Sequence, residues 1–141
     1  MPMTKTMLAT LALGATIAFA GPAFAEKMKA TLDGKSEVPA NTSAGMGTAD
    51  VDYDAATKKL TWKLTYSGLS GPATAAHFHG PAEAGKNAGV AVAIPNAGTS
   101  PVEGSATLTD AQAADLAAGK YYVNIHTAAN PAGEIRGQVT K

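Results

Sequence analysis

The stretch KLTWKLTYSGL, residues 59–69, decides the fold. Leu60, Trp62 and Leu64 recur at every second position, with Lys and Thr between them. A period of two places the three apolar side chains on one face of an extended strand and the polar ones on the other. Upstream, GTADVDYD (47–54) alternates in the same way, and AATK between the two stretches supplies a turn. The pair therefore reads as a β-hairpin with Leu60, Trp62 and Leu64 facing a core.

Working outward, the pattern repeats. KMKATLD (27–33) alternates and predicts a first strand, and GKSEVPANTSAGM a loop. TAAHFHG is the next strand, ended by Gly80 and Pro81, and PAEAGKNAG a loop. VAVAIP (90–95) and PVEGSATLT (101–109) predict two more strands. In TDAQAADLAAGK the period changes: Thr109 or Asp110 can cap a helix, alanine favours it, and Gly119 ends it. KYYVNIHT (120–127) and GEIRGQVTK (133–141) close the chain as a hairpin through AANPAG. The expectation is an all-β, antiparallel Greek-key sandwich or barrel of seven or eight strands with one short helix, residues 26–141 forming a single domain.

Residues 1–25 are read differently. One lysine, Lys5, precedes a run of Ala, Leu, Ile and Phe, and the stretch ends Ala23-Phe24-Ala25. That is the layout of a cleaved signal peptide. The apolar run 7–20 falls short of the roughly 20 residues that span a bilayer. Export to the periplasm or the medium is expected, with the mature chain starting at Glu26 and no membrane span within it. Eleven basic and eleven acidic residues balance, which argues against nucleic-acid partners, since those need concentrated positive charge. The chain has no cysteine. Disulfides, thiolate catalysis and cysteine-ligated metals are thereby excluded.

The chemistry left concentrates on histidine. Phe78 faces opposite to His77 and His79, and Val123 and Ile125 opposite to Tyr122, Asn124 and His126. The apolar members define the core side, so all three histidines of the chain lie on the polar faces of their strands. Neighbouring strands would bring them together. Ile135 and Val139 take the core face of the last strand, which leaves Glu134, Arg136 and Gln138 on the face of the histidines. Three imidazoles are a competent ligand set for copper, with zinc also possible. Glu134 and Asn124 are candidates to orient a ring from behind, and Arg136 to steer an anion. Asp50, Asp52 and Asp54 alternate along an exposed strand face and read as solvated, and Met28 and Met46 as ordinary packing. No residue is assigned a catalytic role.

Two segments carry a family resemblance: SGLSGPATAAHFHGPA and YYVNIHTAANPAGEIRGQ. With the surrounding sequence they resemble the CHRD domain, the module named after chordin, which also occurs as a free-standing exported bacterial protein. The resemblance covers nearly all of residues 26–141. It implies an extracellular or periplasmic β domain, and in chordin a binding protein rather than a catalyst. The recurrent positions of the family fall on His77, His79, Asn124, His126, Thr127, Glu134 and Arg136. A more distant likeness, in architecture and ligand type, is to copper–zinc superoxide dismutase. Three functions follow: a copper-binding protein for buffering, delivery or protection; a non-catalytic module that docks another exported protein; or a copper enzyme acting on superoxide.

Overall fold

The computed structural model describes residues 25–141, together with Gly14. The expected leader otherwise lies outside the described residues. The elements run β1 (Glu26–Asp33), β2 (Met46–Asp54), β3 (Lys59–Ser67), β4 (Ala73–His79), β5 (Val90–Ile94), β6 (Val102–Thr107), α1 (Asp110–Ala117), β7 (Tyr122–Thr127) and β8 (Ile135–Gln138).

Each strand pair is antiparallel, and the order across the sheet is β5-β4-β7-β8-β1-β2-β3-β6. The sheet curls into a nearly closed eight-stranded barrel. Around that barrel β5 and β6 separate β3 from β4, and β5 and β4 separate β6 from β7. These two crossings over the barrel ends give it Greek-key character. α1 lies across the seam. Its Thr109 cap and Gln112 exchange bonds of 3.2 and 2.9 Å, and Gln112 also donates to Ala91 O of β5 at 3.1 Å. Gly119, at φ +74°, turns the chain out of the helix.

The alternation sorts side chains as the sequence predicts. Leu60, Trp62 and Leu64 are buried, as are Met28, Leu32, Val51, Phe78, Val123, Ile125, Ile135 and Val139. Trp62 meets Phe78 edge-on at 5.3 Å across the interior. Without disulfides this core carries the fold, each large apolar side chain contributing roughly 1.5–3 kcal/mol.

Two expectations are corrected. The closing strands are shorter than predicted: β7 starts at Tyr122 rather than residue 120, and β8 is only Ile135–Gln138, after which Thr140 bridges to Lys29 of β1. The second concerns the polar faces of β4, β7 and β8, which a polar-face assignment leads one to expect at the surface. They are not open to water: His79, Tyr122, Asn124, Glu134 and Arg136 are all buried. Alternation separates two faces of a strand but does not say what covers the second. Here the cover is irregular chain, residues 80–89 above β4 and β7 and residues 34–45 beside β8.

Candidate metal centre

β4 and β7 build the site between them. Their register sets Ala75 opposite His126, His77 opposite Asn124, and His79 opposite Tyr122. With Phe78 and Val123 committed to the core, the other side presents His77 and His79 from β4 and Asn124 and His126 from β7. The convergence predicted from the sequence is present. One nitrogen from each histidine lies within 4.8 Å of the others, and among the described residues this is the one such group of metal-ligating side chains.

The hydrogen bonds assign protons. His126 Nδ1 donates to Pro131 O at 2.8 Å, which leaves its Nε2 a lone pair. His77 Nδ1 sits 3.0 Å from that Nε2 and donates to it. His79 Nδ1 donates to Ala88 O at 2.9 Å, and its Nε2 faces Asn124 Oδ1 at 2.9 Å. Burial, then the neighbouring His126 and His79, hold His77 below the ordinary imidazole range. Burial also lowers His79, outweighing its bonds to Ala88 and Asn124 and reinforced by His126 and Arg136. Both are neutral at neutral pH, the form that ligates a metal.

The donor set fits a late transition metal. Once a metal displaces the proton shared between them and His77 takes its other tautomer, His77 Nδ1 and His126 Nε2, 3.0 Å apart, would span an angle of roughly 95° at an ion with metal–nitrogen bonds of about 2.0–2.1 Å. No two ligands of one such ion lie more than about 4.1 Å apart. A triad spread to 4.8 Å must therefore draw in by at least about 0.7 Å to share one ion, through rotation of the rings.

The surroundings hold the cover in place. Tyr122 stacks on His79 with ring centroids 4.8 Å apart and planes 6° from parallel. Its hydroxyl donates to Ala88 O and accepts from Ala88 N, both at 3.1 Å. Arg136 lies on Tyr122 with Cζ 3.5 Å from the ring centroid. It donates to Asn87 Oδ1 at 2.9 Å and to Lys86 O. Asn87 in turn donates to Val38 O at 3.2 Å, joining the two covering segments.

The supporting residues named from the sequence fare unequally. Asn124 is in contact with His79. Glu134, expected to accept from a ring, instead takes donors from Ser43, Ser70, Thr127 and Asn130. Burial would raise its pKa, but the bonds from Ser70, Thr127 and Ser43 outweigh that and hold it at about 2. It pins three loops together. Backbone carbonyls of Ala88 and Pro131 take the role it was assigned. Arg136, expected beside His126 to guide an anion, is packed on Tyr122 and bonded to the cover.

Glu37 was not legible. It is buried, burial pushes it up to about 7 against the pull of Arg136, Asn124 and Val38, and its Oε1 has no hydrogen-bond partner. Nothing in GKSEVPAN distinguishes it from a surface loop acid. The covering loop did leave a signal: ten residues between β4 and β5, where a hairpin needs two to five.

Fold and site together define a class, an antiparallel β-barrel module whose three-histidine cluster is compatible with metal binding. Residues 28–139 match the family model of the CHRD domain, and the chain belongs to that family. No curated protein and no solved structure matches it.

Proposed function

We propose that the protein is an exported copper-binding protein, periplasmic or secreted, that buffers, delivers or sequesters copper through His77, His79 and His126. One observation carries the reading: nitrogens from three histidines on two adjacent strands lie within 4.8 Å of one another. Copper is favoured over zinc on donor chemistry. Imidazole nitrogen suits both, but a given nitrogen site binds Cu(II) more tightly, and the site offers no thiolate and no carboxylate.

Bound copper would supply a Lewis acid and a one-electron couple. The protein's own residues favour carriage over turnover. His79 is pinned by Ala88 and stacked on Tyr122, so its ring is presented in one orientation. Arg136, whose charge acts on His79, is buried and engaged in the cover rather than turned to an approaching anion. A small oxidant such as superoxide would meet little steering charge. Metal analysis of protein recovered from the periplasm, beside the variant with all three histidines changed to alanine, tests the reading. About one copper per chain in the wild type and none in the variant is the expected result. Equal metal content in the two would refute it.

A further inference from the structure

The contact between His79 and Asn124 is chemically unresolved as it stands. His79 Nδ1 faces the carbonyl of Ala88 and must carry a proton to bond it. A neutral imidazole has only one N–H, so in the metal-binding form Nε2 presents a lone pair. That lone pair points at Asn124 Oδ1, an oxygen with lone pairs of its own, 2.9 Å away. Turning the amide over would cure the clash locally, but the far end of Asn124 forbids it. There Nδ2 lies 3.4 Å from Ala132 O, and it and the carboxyl of Glu37 crowd the same point beside Gly133. A backbone carbonyl accepts and does not donate, so the NH2 group belongs on that side. Gly133 keeps the arrangement possible. A Cβ at that position would stand 2.5 Å from Glu37 Oε1 and 2.7 Å from Asn124 Nδ2.

Two acceptor atoms held 2.9 Å apart with no proton between them are reconciled by a cation seated to one side of both. That separation matches two ligands about 90° apart on an ion with bonds of about 2.0–2.1 Å. Asn124 also has the right place in the sheet, directly opposite His77 and two residues from His126 on the same strand. We infer that Asn124 Oδ1 is a fourth ligand of the metal held by His77, His79 and His126, and that Glu37 is the positioning residue that turns the amide oxygen toward it. The inference rests on the metal-binding reading above. It makes the site three nitrogens and one oxygen, all supplied by β4 and β7, with the oxygen at the buried floor.

The test is NMR of the 13C,15N-labelled protein titrated with Zn(II), a diamagnetic probe. At one equivalent, ring nitrogens of the three histidines and the Asn124 side-chain carbonyl carbon and amide protons shift together. Glu37→Gln, whose amide can donate to a reversed Asn124, keeps the histidine shifts but loses the Asn124 shift, with Zn(II) affinity about 10- to 100-fold weaker. Asn124→Leu weakens binding to a similar extent. Histidine shifts with an unmoved Asn124 carboxamide would overturn the fourth ligand and leave the three-histidine site standing. Absence of any histidine shift would overturn both. A Glu37→Gln variant with wild-type affinity and an intact Asn124 shift would remove Glu37 from the account.

Discussion

The three histidines differ in what else they do, and their variants separate on that ground. His77 and His126 are half-buried, whereas His79 is buried beneath the cover, stacked on Tyr122, bonded to Ala88 and in contact with Asn124. Alanine at position 77 or 126 abolishes metal binding with little change in urea midpoint. Alanine at 79 also costs about 1–3 kcal/mol, because a buried ring leaves its stack on Tyr122 and its bond to Ala88 O is lost. Glu134 makes a second prediction. Held at about 2 against an ordinary 4.5, its carboxylate stabilises the fold fully above pH 4.5, and that stability is lost as pH falls toward 2. The Glu134→Gln variant is less stable at neutral pH and shows a flatter acid-unfolding profile between those limits. Equal acid profiles in denaturant melts of the two proteins would contradict the assignment. At this scale the alternation around Phe78, Val123 and Ile125 was enough to place the histidines. It could not report the partners of Glu134, Arg136 or Glu37, which are settled by loops far away in sequence, Ser43 and Ser70 for Glu134 and residues 86 and 87 for Arg136.

Among the elements, the loop over β4 and β7 matters most to the site. It is held by Arg136 on Asn87 and Lys86, and by Tyr122 and His79 on Ala88. Arg136→Ala removes two of these ties and the packing on Tyr122. Amides of residues 86–89 then exchange faster with deuterium while those of β2 and β3 keep their protection. Lysine does not rescue, since an ammonium can neither lie flat on the ring nor reach both acceptors in one plane. Unchanged exchange at Ala88 in Arg136→Ala would show that the arginine does not secure the cover. Strands and helix were readable because a period of two, a Thr109 cap and a Gly119 stop are local signals. The cover was not, because PAEAGKNAG has no period, and its burial of the outer sheet face depends on tertiary contacts. The same blindness made β8 look longer than it is: residues 139 and 140 do continue the chain alongside β1, but through one bridge rather than a ladder.

For the whole molecule, metal and proton compete for the same lone pairs. Burial and mutual repulsion place His77 and His79 below the ordinary 6.5. If the proposed function holds, acid displaces the metal only below the range where an ordinary imidazole takes its proton, each released ion being replaced by protons on the rings; metal content against pH tests this. Because the unfolded chain lacks the assembled site, bound metal raises stability, by about 2.7 kcal/mol at a free concentration of 100 times Kd. Export adds a further expectation, tested by intact mass: a mature chain beginning at Glu26, with retention of residues 1–25 as the contrary result. The central claim is that β4 and β7 jointly hold one metal ion, and calorimetric titration of Cu(II) into wild type and His126→Ala tests it most directly. The account predicts one site per chain in the wild type and its loss in the variant, because only two of the three imidazoles remain, both from β4. Unchanged copper affinity in His126→Ala, or no binding by the wild type, would contradict it.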